Sequence, residues 1–132
     1  MSILTAFNTQ IINFLDETIN LYPNDLDFST FKNAILLLKK TNPRKIYELF
    51  NLYIDSYRGK IMNRDETFFI SECKYQEFTN YQEYYKNNSI DISHVIDKLK
   101  LYWTDLSDNN KDKIWKYLEI LIKLGDMMRK KT

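Results

Sequence analysis

The chain has 132 residues, of which 44% are apolar and 28% charged, and its net charge is +1. That composition describes one globular domain and excludes a disordered chain. The near-neutral charge argues against a dedicated nucleic-acid binder, and a single cysteine, Cys73, excludes an internal disulfide.

Taken in chain order, the hydrophobic spacing is helical nearly throughout. Leu4, Phe7, Ile11, Phe14, Leu15 and Ile19 recur at three- and four-residue steps, which predicts an amphipathic helix over about 2–21, closed by Pro23. Asp27 is read as the cap of a second helix, about 28–40, with Leu26 and Phe31 as a hydrophobic staple. Asn42-Pro43, a capping side chain before proline, opens a third helix over about 43–57. Ile46, Leu49, Phe50, Tyr53, Ile54 and Tyr57 are expected inward, and Gly59 is expected to break or bend this helix.

A short helix capped near Asp65 follows, then a stripe of Phe78, Tyr81 and Tyr85 ended by Asn87-Asn88-Ser89. Ile92, Val95, Ile96, Leu99, Tyr102 and Trp103 predict a helix over about 91–104. The last helix starts after Ser107 or Asp108 and runs to about 124, or through Gly125 into a basic tail at about 126–132. There are no alternating strand patterns and no hairpin-turn dipeptides. The expectation is all-α: a single compact bundle of five to seven helices.

Two related helical-hairpin halves are one form that bundle can take. "KIYELFNLYI" (45–54) aligns without gaps onto "KIWKYLEILI" (113–122). Charge alternates at a similar period. Acids prevail in 1–31 and 61–97, and bases prevail in 32–60 and 98–132.

The last helix is apolar around most of its circumference, with Asp112, Lys116, Glu119 and Lys123 on a narrow polar edge. Such a helix is central in its bundle, or it completes its burial against a partner. Trp103 and Trp115 flank the preceding loop, where an antiparallel hairpin would bring them together. With Tyr117, Leu118 and Leu121 they are read as packing anchors, since the nearby Lys113 and Lys116 suit no cation cage.

Chemistry is sparsely signalled. The loop "DLSDNNKDKIWK" (105–116) has Asn110 where a calcium loop needs glycine and Lys116 where it needs a bidentate glutamate. One histidine, His94, and one cysteine cannot make a four-ligand zinc site, and they lack the third residue of a nucleophilic triad. No catalytic residue, cofactor or metal is therefore assigned. Lys39, Lys40, Arg44 and Lys45 form the one candidate contact cluster. Arg44 and Lys45 start a helix, where free amides and bases together can hold an anion or a partner's carboxylate.

Residues 1–22 lack a basic leader region, and Asp16 and Glu17 interrupt their apolar pattern, so no signal peptide is expected; no apolar run reaches bilayer length. With the lone cysteine, this points to a reducing, cytoplasmic setting. Abundant Phe, Tyr, Ile, Asn and Lys beside scarce Gly, Ala, Arg and Pro indicate an AT-rich genome. At "FFI" (68–70), and above all at "YWTDLSDNNKDKIWKYLEILIKL" (102–124), the chain resembles a family of small proteins from giant double-stranded DNA viruses, the mimivirus and phycodnavirus relatives. The matching pattern is Trp103, Leu106, a polar capped turn, then Ile114, Trp115, Tyr117, Leu118 and Leu121, with Asn42-Pro43 as a similar helix start.

The resemblance implies a viral origin, in the infected-cell cytoplasm or the virion, and assigns no catalytic residue. The functional expectation is a non-enzymatic protein acting through protein–protein contacts, as a virion component or host-interaction factor. The alternative is an accessory nucleic-acid role using 39–45 and 129–131.

Overall fold

A computed structural model describes residues 2–70 and 92–130. Cys73, the Phe78–Tyr81–Tyr85 stripe, Asn87-Asn88-Ser89 and Lys131 lie outside the described residues.

The fold is all-α, with no strand among the described residues. Helix α1 spans Ile3–Leu21, and its start is capped by Ser2, whose Oγ accepts the Thr5 N–H at 3.0 Å. Helix α2 spans Leu26–Thr41. It begins earlier than the sequence indicates, because Asp25 rather than Asp27 is the cap: Asp25 Oδ1 accepts the Asp27 N–H at 3.1 Å. Leu26 thereby becomes the first helical residue and is 72% exposed, so no staple forms between it and Phe31.

Helix α3 spans Pro43–Ile54. Proline stands in the first turn as expected, but the Asn42 side chain makes no capping bond; the Lys45 N–H donates to the Asn42 backbone carbonyl. The buried residues are Ile46, Tyr47, Phe50 and Ile54, whereas Leu49 and Tyr53 are half-buried and Tyr57 is exposed. The helix tightens into a 3-10 turn at Asp55–Tyr57, where the Tyr57 ring reaches Phe68 at 5.2 Å. The interruption is there and not at Gly59, which lies inside α4, Arg58–Met62.

Asp65 caps the short α5, Thr67–Ile70, accepting from the Thr67 N–H at 3.0 Å. Helix α6 spans Ser93–Tyr102 and ends in a 3-10 turn, Trp103–Asp105. Helix α7, Asp108–Lys130, runs straight through Gly125, and Ser107 Oγ accepts the Asn110 N–H at its start.

The buried side chains form one hydrophobic core, with Phe7, Ile11, Phe14 and Leu15 of α1 facing Ile114, Leu118 and Leu121 of α7. Helix α7 packs on α1, α3 and α4, while α1 also meets α2 and α3. Each of these contacts removes apolar area from water, the main favourable term in folding. The segments 45–54 and 113–122 match in burial position for position except at Tyr53 and Leu121. Their preceding helices are placed differently: α2 packs on α3, whereas α6 packs mainly on α5 and the following turn.

Candidate interaction surface

Trp103 and Trp115 are 1% and 4% exposed. Their rings meet edge to face at 5.4 Å, and both also touch Phe69, which stacks on Trp103 at 3.9 Å and meets Trp115 at 5.0 Å. The tryptophans therefore lie inside the core with a third ring from α5 between α6 and α7. Among the described residues the Trp103 Nε1–H has no acceptor, and Lys111 Nζ stands 5.3 Å from its ring centroid. Leu118 and Leu121 are fully buried. Tyr117 is half-buried against Phe14, and burial, followed by the charges of Glu17 and Asp16, pushes its hydroxyl up. Of these anchors only Tyr117 keeps appreciable exposure.

Lys39, Lys40, Arg44 and Lys45 are all exposed. Lys39 and Lys40 occupy the last turn of α2, where the helix dipole favours cations. Arg44 and Lys45 stand 3.8 and 3.9 Å from Glu48, which moderates their charge. Pro43 has no N–H and the Lys45 N–H is engaged, so this helix start offers few free amides to an anion.

The polar edge of α7 is more ordered than the sequence shows. Asp112, Glu119 and Asp126 recur every seven residues, and arginines of α4 and the turn that follows it grip all three. Arg64 donates to Asp112 at 2.5 Å and to Glu119 at 3.0 and 3.3 Å. Arg58 binds both oxygens of Asp126. Arg129 ties Asp126 to Asp55 at 3.2 and 3.1 Å. The hydrogen bonds of Arg64 and Arg58 hold the Asp112 and Asp126 carboxyls below their usual range.

Among the described residues, one strip of α7 remains open. Lys113, Lys116, Ile120, Lys123, Met127 and Lys130 are all exposed and follow one another at alternating steps of three and four. Ile120 is 40% and Met127 48% exposed. Glu17 of α1 reaches Lys113 at 3.5 Å on one side of the strip, and Asp112, which Arg64 grips, reaches Lys116 at 3.1 Å on the other. Among the described residues no carboxylate stands within ion-pair distance of Lys123 or Lys130, although the Lys130 charge helps hold the Asp126 carboxyl down. Among the described residues, helix α7 packs against α1, α3 and α4 and leaves this strip uncovered. By helical periodicity alone Ile120 falls in the apolar arc and Lys116 and Lys123 on the polar edge. The alternating spacing that joins them is the signal in the sequence for this strip.

A second feature escaped the sequence altogether. Lys98, on α6, is 8% exposed and bonds Asp25 at 2.8 Å and Asp27 at 3.0 Å. Tyr102 donates to Asp25 at 2.5 Å and stacks on Tyr22 with ring centroids 4.0 Å apart. The spacing Val95, Lys98, Tyr102 places this lysine on an apolar face, where lysine is rarely found unless paired. The group fastens the end of α6 to the start of α2, beside an open cleft of about 640 Å³. Asp25 spends its oxygens on Lys98, Tyr102 and the Asp27 N–H, so the arrangement serves as a staple. His94 is buried on the same helix.

Among the described residues, no helix is long and apolar enough to cross a membrane, and no cluster of three or more acidic, histidine or cysteine side chains could hold a metal. No family model, curated protein or solved structure matches the chain.

Proposed function

We propose that this is a non-enzymatic helical protein that works by docking another protein along the open edge of α7. The observation that carries the reading is the unbroken seam from Lys113 to Lys130, in which Ile120 and Met127 stand among lysines. Leu26, Leu37 and Leu52 are more exposed, but singly exposed apolar residues are ordinary on any surface. Alternation of three and four is the spacing by which one helix lies along another.

Covering the remaining exposed parts of Ile120 and Met127 contributes roughly 2–3 kcal/mol, with more from the lysine stems. A micromolar complex needs about 8 kcal/mol. The edge alone therefore supports a weak, transient contact, or one part of a larger interface. With the giant-virus resemblance of the C-terminal third, the reading extends to a virion component or host-interaction factor.

The accessory nucleic-acid role is the weaker reading. Glu48 stands beside Arg44 and Lys45, and Arg129 is engaged by Asp55 and Asp126.

A photo-reactive residue in place of Ile120, in the full chain within its native cell, tests the proposal. A discrete protein adduct is expected there and not from the same residue at Leu52. Equal labelling from both positions, or an adduct with nucleic acid, overturns it.

A further inference from the structure

We propose that the α7 edge receives an acidic amphipathic helix, an inference that rests on the protein-contact reading above. In the seam, Lys116, Lys123 and Lys130 form one row at seven-residue intervals, and Lys113, Ile120 and Met127 form the other. A seven-residue step along a helix advances about 10 Å, so a second helix can match every position in register. The complementary helix carries carboxylates opposite the lysine row and aliphatic side chains opposite Ile120 and Met127.

Charge decides the occupant. The strip holds four lysines and no acid. Of the acids of α7 itself, Glu119 and Asp126 are bound by arginines, and Asp112, gripped by Arg64, also pairs with Lys116 at the rim of the strip. A second copy of the same edge would set lysine rows against each other in either direction, which opposes self-pairing. A lipid surface is met by a broad apolar helix face, and this edge exposes only two large apolar side chains. Nucleic acid would use the lysines but leave Ile120 and Met127 without a role. An acidic helix uses both.

The test takes the purified full chain and three synthetic helical peptides with identical aliphatic rows and glutamate, glutamine or lysine in the facing row. Binding is followed by fluorescence anisotropy at several salt concentrations, and sedimentation reports the oligomeric state. The glutamate peptide is expected to bind about fivefold or more tightly than the glutamine peptide, the sum of two modest ion pairs at Lys123 and Lys130, and to weaken as salt rises. The doubly reversed chain, Lys116→Glu with Lys123→Glu, should keep its helical circular dichroism and prefer the lysine peptide.

Equal binding of the glutamate and glutamine peptides overturns the proposal, as does self-association through this edge. So does binding of anionic vesicles in place of peptide. A protein adduct at position 120 with no acidic-peptide binding removes the acidic chemistry and leaves the contact reading standing. Absence of both removes the two together.

Discussion

The Trp103 and Trp115 rings meet edge to face, 5.4 Å apart and inclined at 77°, with Phe69 against both. The geometry is that of aromatic packing, and it makes Trp115 part of the fold's own interior. Trp115→Ala is therefore expected to destabilise the protein by about 3–5 kcal/mol in urea unfolding. That is a large share of the roughly 5–15 kcal/mol that holds a typical domain together. Lys123→Gln, on the open edge, should change stability by no more than about 0.5 kcal/mol. A Trp115→Ala variant with wild-type stability would move α7 from core to interface.

Arg64 is the one non-glycine residue at positive φ among the described residues, at 50°. Left-handed backbone is unfavourable for any side chain with a Cβ, and the double grip on Asp112 and Glu119 offsets that cost. Arg64→Ala loses the grip and keeps the backbone cost, whereas Arg64→Gly loses both. The glycine variant is expected to melt above the alanine variant. Added salt, which screens exposed ion pairs, should lower the wild-type melting temperature toward the glycine variant's. Identical melting of the two variants would show that the backbone at this position carries no cost.

The fold was largely legible because helical periodicity is a local signal. Pro23, Pro43 and Ser107 marked boundaries that the structure keeps within a residue or two. Errors arose where one side chain outcompeted another for the same role. Asp25 and Asp27 are equal as capping residues on paper, and only the reach of Asp25 Oδ1 to the Asp27 N–H decides between them. The staple was invisible because Asp25 and Lys98 are far apart in sequence, and no local pattern links them. The open edge was half visible. Periodicity alone sets its lysines and aliphatics on separate faces, because nothing in the sequence shows that Arg58 and Arg64 occupy the acidic side.

Gly125 gives a prediction of opposite sign. It lies inside α7, where glycine weakens a helix relative to alanine. A Cβ built there meets Tyr47 Cε1 at 3.6 Å, Asn51 Oδ1 at 3.8 Å and Phe7 Cε2 at 4.0 Å, all ordinary contacts. Gly125→Ala should stabilise the protein by about 0.5–1 kcal/mol, read as a higher urea midpoint at unchanged slope. A lower midpoint would mean that α1 and α3 cannot accommodate even a methyl group against α7.

The staple of Asp25, Lys98 and Tyr102 makes stability depend on pH at both extremes. Burial pushes the Asp25 carboxyl up, but hydrogen bonds from Lys98, Tyr102 and the Asp27 N–H outweigh it and hold the group below its usual value. The stability this contributes is present above the unfolded carboxyl's value of about 4, and is lost as pH falls through the lower folded value. Tyr102 runs the other way. Burial first, and then the hydrogen bond to Asp25, push its hydroxyl up to about 12. Its contribution is complete below an ordinary tyrosine value of about 10 and disappears as pH rises from there toward about 12. Tyr102→Phe keeps a ring against Tyr22 and removes the hydroxyl, so it should cost about 1.5–3 kcal/mol at neutral pH. The same variant should flatten the alkaline loss and reduce the acid loss, because Asp25 retains only two of its three donors. Urea midpoints across the pH range, with tyrosinate absorbance to follow the hydroxyl, check both limbs. An unchanged alkaline limb in Tyr102→Phe would show that this hydroxyl does not link α6 to α2 in solution.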